Sequence, residues 1–289
     1  MIENSMKNNF AFLILCMGKF EDSARISLNS MAKVASYSDA RIFAYADASG
    51  KKWLLENIES KQILTFIEVD IKNVPLRVRN RFESQESFQY AKFGSDEMKS
   101  LTPLKWDALL EVFKPDYGLK AVVFSDLDVI WTRPPNSEVD ELVKSDLLAL
   151  LQDDTPKGSR GYFCPGIQIW KNSDRSVDYI SKLSLFHRKS HDDDFRYRNM
   201  LVGDEKAFNL WMAKTKSLSF FAGLDSRKYV IGHNVKMAIL SLLLRINPIA
   251  IHANYSSSEY SKYNKLNSFT EKSSRWISRL IILSRPKNK

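Results

Sequence analysis

The chain has 289 residues, of which 44% are apolar and 27% charged, with only 10 Gly and 9 Pro. That composition excludes collagen-like, low-complexity and wholly disordered chains and leaves material for a sizeable core. Lys and Arg number 43 against 34 Asp and Glu, and the net charge of +9 selects polyanionic partners, meaning nucleic acid, an anionic membrane surface or phosphorylated small molecules.

Phe10 to Cys16 is a continuous apolar run read as a buried strand. It is far shorter than the roughly 20 residues a spanning helix needs, and no small-residue cleavage site follows, so we expect neither a signal peptide nor an N-terminal anchor, and a cytoplasmic protein. Asp22 to Ala35 places Ala24, Leu28, Met31 and Ala35 at helical spacing, Arg41 to Ala46 is a second strand, Lys51 to Ile58 a short helix and Ile63 to Val69 a third strand. Thr102-Pro103 reads as a helix start, with Trp106, Leu110 and Phe113 on one face up to Lys114-Pro115. Ala121 to Phe124 is a β-rich run that stops abruptly at Ser125-Asp126-Leu127-Asp128. Strands alternating with helices predict an α/β fold, a mostly parallel central sheet flanked by helices, as one domain over 1–270 followed by a tail over 271–289. Ligands of such sheets sit at the carboxyl ends of the strands. Met237 to Leu244, closed by Arg245, is too short to span a membrane. Cys16 and Cys164 both lie in apolar stretches, cannot make a disulfide framework and read as buried thiols in a reducing compartment. Neither GxGxxG nor GxxxxGK[ST] occurs, so the dinucleotide fingerprint and the phosphate-cradling loop are excluded.

Asp126 and Asp128 stand one residue apart. In extended backbone that spacing turns both carboxylates to one side and Leu127 into the core. Two hard oxygen ligands facing one point suit a divalent cation of the Mg²⁺ or Mn²⁺ type, which would orient a diphosphate. A chance Asp-x-Asp is expected about once in a chain this long, and His191-Asp192-Asp193-Asp194 is read as such, a solvated loop. What distinguishes the first pair is the buried strand running into it, since like charges in a desolvated place require a compensating cation.

Four segments in this order resemble the nucleotide-diphospho-sugar transferase family, glycosyltransferases of the GT-A fold with a metal-binding DxD motif. They are Val122-Val123-Phe124-Ser125-Asp126-Leu127-Asp128-Val129-Ile130-Trp131 with Pro134; Asp153 followed by Cys164-Pro165-Gly166-Ile167-Gln168-Ile169-Trp170; Asp204-Glu205-Lys206-Ala207-Phe208-Asn209; and Ile251-His252-Ala253-Asn254-Tyr255 with Lys262. The resemblance spans about Phe10 to Lys262. It implies a metal-dependent glycosyltransferase that moves a sugar from a nucleoside diphosphate sugar, UDP foremost, to an acceptor hydroxyl on a glycan, glycolipid or protein, with retention of configuration. Three positions depart from the family pattern: Cys164 stands for the usual Asn, Glu205 for the usual Gln and Ser258 for a frequent Gly.

Site residues follow from the resemblance, each beside a plainer reading. Asp128 would hold Mn²⁺ (or Mg²⁺) directly and Asp126 would contact the metal or the ribose, directly or through water, or the pair forms a solvated strand-end turn. His252 would be the third ligand, or a satisfied core histidine, with His233 as competitor. Asp204 would reach the donor sugar's hydroxyls, or cap a helix. Glu205 would lie near the anomeric carbon, where a carboxylate could act as nucleophile, or complement the helix dipole. Lys262 would sit on the departing diphosphate, or on the surface. Lys105 and Asp153 would contact the nucleotide, with a solvated helix face the alternative for Lys105. Trp131 and Trp170 belong either to the core or to an acceptor cleft, and His187 and His191 read as surface residues.

The last 19 residues carry Lys272, Arg275, Arg279, Arg285, Lys287 and Lys289 against Glu271, with Trp276, Leu280 and Leu283 at helical spacing. That pattern fits a helix lying peripherally on the inner face of a membrane, or a basic helix packed on the domain. Two rival functions stay open: a catalytically inactive nucleotide-sugar-binding relative, suggested by Cys164 and Glu205, and a nucleic-acid-binding protein. Against the second, the bases outside the tail are dispersed and no recognised nucleic-acid motif occurs, so no nucleic-acid partner is expected.

Overall fold

A strand that is apolar on both faces has to be covered on both, and β1 (Phe10–Cys16) is such a strand. Ala11 and Leu13 enter one core while Phe10, Phe12 and Ile14 enter another, the two-residue alternation of extended chain. The computed structural model describes residues 10–17, 22–69, 96–154, 161–190, 202–231 and 248–252. The predicted elements of the first 130 residues form with small shifts of boundary. They are α1 (Asp22–Tyr37), β2 (Ile42–Ala46), α2 (Ala48–Asn57), β3 (Leu64–Glu68) and, after a helix the sequence did not predict, α3 (Asp96–Leu101), α4 (Leu104–Val112) and β4 (Ala121–Ser125). Beyond them come β5 (Val129–Trp131), α5 (Asn136–Lys144), β6 (Ala149–Asp153), β7 (Phe163–Lys171), α6 (Asp174–Lys189), α7 (Asp204–Thr215), β8 (Phe221–Leu224), β9 (Tyr229–Ile231) and β10 (Ala250–His252).

Seven strands make the central sheet in the order β3-β2-β1-β4-β7-β6-β8. All neighbours in it pair in parallel except β7, which is antiparallel to both β4 and β6. One core lies between the sheet and α4, α6 and α7, holding Trp106, Leu109, Ile180, Leu183, Phe208 and Met212. The other lies beneath α1, α2 and α5, with Leu28, Met31, Leu54 and Val139. This is the mixed, mostly parallel, single-domain α/β architecture expected of the GT-A fold. Both tryptophans left open by the sequence belong to the core: Trp170 is packed by Tyr179, Phe208 and Phe221, and Trp131 by Phe12 and Tyr229.

A second sheet, β5-β10-β9, is joined to the first through the turn between β4 and β5. In it β10 runs antiparallel to β5, and His252 pairs with Val129. Leu127 and Asp128 form a turn, and the segment is not the extended backbone the spacing argument assumed. Leu127 is buried nevertheless. His187, read from sequence as a surface residue, is fully buried on α6; Ile180, Leu183 and His187 occupy one inward helical stripe. Among the described residues no helix is long and apolar enough to cross a membrane. His191 to Asp194, His233, Met237 to Leu244, Asn254, Ser258, Lys262 and the tail lie outside the described residues.

Candidate functional site

The carboxyl end of β4 is held in place before any ligand is considered. Asp126 donates its backbone N–H to the Gly166 carbonyl at 2.8 Å, and Ser125 Oγ donates to the Asp126 carbonyl at 3.0 Å. The Trp131 indole N–H in turn donates to Ser125 Oγ at 3.0 Å, tying β5 back across the turn. With the backbone thus fixed, Asp126, Asp128 and His252 converge, and one ligand atom from each lies within 4.8 Å of the others. Two carboxylates and an imidazole at that spacing are a donor set suited to Mn²⁺ or Mg²⁺. The Asp-x-Asp reading thus reaches convergence by a turn, not by the alternation of a strand.

His252 arrives from the opposite end of the chain because β10 pairs with β5. Its Nε2 lies 3.0 Å from Asp128 Oδ1, and its Nδ1 lies 2.7 Å from Gln152 Oε1. Room for the ring comes from Gly166: a Cβ there would stand 2.1 Å from His252 Cε1. The glycine of the Cys164-Pro165-Gly166 segment therefore has a steric reason. Burial pushes the imidazole pKa down, but the Asp128 carboxylate, with the Cys164 thiol beside the ring, outweighs burial and holds it well above the ordinary value. Burial raises the Cys164 thiol in its turn.

Lys105, at the start of α4, is buried, which rules out the solvated-face reading. Its Nζ lies 2.7 Å from Asp126 Oδ1 and 2.6 Å from Asp204 Oδ2, and 5.0 Å from the centroid of the Phe124 ring. Burial works against the ammonium, yet the two carboxylates override it and keep its pKa above the usual lysine range. Asp204 is the first residue of α7 and not its cap, which is Gly203. Burial would raise its carboxyl, but Lys105 holds it below the usual range, helped by the backbone N–H of Glu205. Asp126 behaves differently: burial first, then Asp128 and Asp204, outweigh Lys105 and leave its carboxyl above the ordinary value.

The helix carrying Asp204 is docked by a residue whose part the sequence did not disclose. The Asn209 amide accepts from Phe163 N–H at 2.9 Å and donates to the Phe163 carbonyl at 2.8 Å, clamping α7 onto the start of β7. Trp106 donates to His187 Nδ1 at 2.9 Å while His187 Nε2 reaches the Val202 carbonyl at 2.9 Å, fixing the approach to α7. Glu205 accepts from the Tyr162 hydroxyl at 2.8 Å, and burial together with that carboxylate keeps the phenol protonated. Asp153 ends β6 on the surface beside Gly223, and its neighbour Gln152, which sequence reasoning passed over, reaches the histidine instead. A lone buried amide at the end of the run Leu148 to Leu151 was the available signal for Gln152.

The profile of nucleotide-diphospho-sugar transferases matches residues 65–267. Among solved structures, the fold is similar to mouse xyloside xylosyltransferase 1 in its apo form, at 14% identity and a TM-score of 0.54 over 86% of this chain and 99% of that one. It is similar to the galactosyltransferase LgtC in complex with donor and acceptor sugar analogs, at 13% identity and a TM-score of 0.57 over 90% and 94% of the two chains. A glycosyltransferase involved in the glycosylation of the major capsid of PBCV-1 aligns at 12% identity and a TM-score of 0.53, over 88% and 98%. At such identities the likeness is one of fold. No curated protein sequence matches the chain significantly.

Because the raised pKa favours the charged imidazole in the fold, the His252–Asp128 pair stabilises the metal-free protein fully below the ordinary histidine value of about 6.5 and loses that contribution as pH rises through the raised value. In chelator, the melting-temperature gap between the wild type and His252→Gln is therefore largest near pH 6 and shrinks as the pH is raised. A gap that widens with pH contradicts the pairing.

Proposed function

The chain belongs to the nucleotide-diphospho-sugar transferase family and is a glycosyltransferase, and on that premise we propose a metal-dependent transfer from a nucleoside diphosphate sugar, UDP foremost, to an acceptor hydroxyl with retention of configuration. The observation that carries this reading is the convergence of Asp126, Asp128 and His252 on one point. These three residues would hold Mn²⁺ or Mg²⁺, which when bound supplies positive charge for a diphosphate leaving group.

The chain's own side chains take the remaining parts. Lys105 keeps Asp204 ionised and aimed at the site, so that a carboxylate is available to the donor sugar's hydroxyls. Glu205, one residue on, would face the reacting carbon with its carboxylate oriented by Tyr162. Asp153 would contact the nucleotide, and Lys262 the diphosphate as charge develops on it. The basic segment over 271–289 would bring the enzyme to a lipid-borne acceptor. Sedimentation with anionic liposomes tests that part, and equal sedimentation of the full chain and a chain ending at Thr270 removes it.

Thermal melting with a panel of nucleoside diphosphates and their sugars, with and without Mn²⁺, tests the donor site. A ligand at 100 times its dissociation constant adds about 2.7 kcal/mol, on the order of 4 °C for a chain of this size. The expected result is a Mn²⁺-dependent shift with one nucleotide that Asp128→Ala abolishes, accompanied by release of the nucleoside diphosphate when acceptor is added. A shift without turnover makes the chain a donor-binding relative, the reading favoured by Cys164 and Glu205. No shift with any nucleotide overturns the proposal.

A further inference from the structure

Gln152 is 1% exposed, stands near the end of β6 and belongs to none of the segments that mark the family. The local backbone explains how it comes to face the site. Along β6 and β7 the pairs run Ala149 with Trp170, Leu150 with Ile169 and Leu151 with Gln168, and then the register jumps so that Gln152 pairs with Cys164. In the gap β7 serves β4 instead: Ile167 pairs with Ser125, and the Gly166 carbonyl takes the Asp126 N–H. Irregularities of this kind re-aim side chains at the edge of a site. Here the break opens the space beside Gly166 that the His252 ring fills, and sets the Gln152 amide against the far side of that ring.

We propose that Gln152 is a positioning residue for the cation site: its Oε1, 2.7 Å from His252 Nδ1, takes the Nδ1–H and thereby fixes Nε2 as the nitrogen presented alongside Asp128 and Asp126. An imidazole has two nitrogens and one free rotation, and a ligand role requires the chosen nitrogen to be unprotonated and aimed. A buried acceptor on the opposite nitrogen aims Nε2 before the cation arrives, and keeps the remaining ring proton on Nδ1 once a cation displaces the one on Nε2. The opposite orientation of the amide, with Nε2 against the ring, would place the ring proton on the nitrogen that has to face the ligand. Gly166 limits ring tilt from one side, and Gln152 sets its rotation from the other. The inference rests on the proposed cation site and deepens it.

Mn²⁺ binding by the full chain, read from the electron paramagnetic resonance signal of free Mn²⁺ in the presence of UDP, separates the two claims. Gln152→Met keeps the reach and removes the acceptor, and weakens Mn²⁺ binding by about 10- to 100-fold. Gln152→Glu keeps an acceptor oxygen at the same reach, and binds Mn²⁺ to within a few-fold of wild type. Should the Met variant fail to fold, Gln152→Asn, whose shorter side chain withdraws the acceptor, takes its place with the same expected loss. Wild-type affinity in the Met or Asn variant overturns the positioning role, as does an equal loss in the Glu variant, which would mark Gln152 as packing alone. Asp128→Ala is the separate control. If it binds Mn²⁺ as the wild type does, the cation site itself falls, whereas its loss beside an unaffected Met variant removes only the part given to Gln152.

Discussion

Like charges brought together at a strand end are the constraint around which this molecule is arranged. The β4–β5 turn sets two carboxylates within 4.8 Å of each other and of an imidazole, and α7 adds a third acid on the far side of Lys105. At an effective dielectric constant of about 20, like charges at that separation repel by about 3.5 kcal/mol, and each further acid adds to the sum that Lys105 has to offset. Lys105 and His252 therefore make the cluster tolerable without making it neutral. A demand for positive charge remains, visible at Asp126, whose carboxyl burial and its acidic neighbours hold above the ordinary range. A divalent cation meets that demand in the proposed account.

The rest of the fold can be understood as the means of delivering these groups to one place. β4 brings the acids, the antiparallel pairing of β10 with β5 brings the histidine across more than a hundred residues, and α4 brings the lysine. Asn209 and His187 hold α7 so that Asp204 meets Lys105. Glu205 and Cys164, where the chain departs from its family's pattern, each lie at the edge of this arrangement with a partner of their own, Tyr162 in one case and the His252 ring in the other. Those substitutions are accommodated structurally.

The strands and helices up to β4 were legible because buried parallel strands are continuous apolar runs and their covering helices keep a 3.6-residue stripe. Strands β8 and β9 are three or four residues long, too short for any period to register, and were not predicted. Asp126, Asp128 and His252 were legible through their order along the chain, while the reason given for the acid pair, extended backbone, was mistaken. His187 was misjudged because a histidine among Arg188, Lys189 and His191 looks like surface until its spacing from Ile180 and Leu183 is weighed. Gln152 was missed because a single amide carries no periodicity, and its part depends on a register break between strands that no local pattern announces.

Crystals of the full chain grown with Mn²⁺ and UDP, measured at the manganese absorption edge, test the central claim most directly. The account predicts one anomalous peak at coordination distance from Asp126, Asp128 and His252. A peak that omits His252 or lies elsewhere, or no peak at a Mn²⁺ concentration that supports turnover, would contradict it.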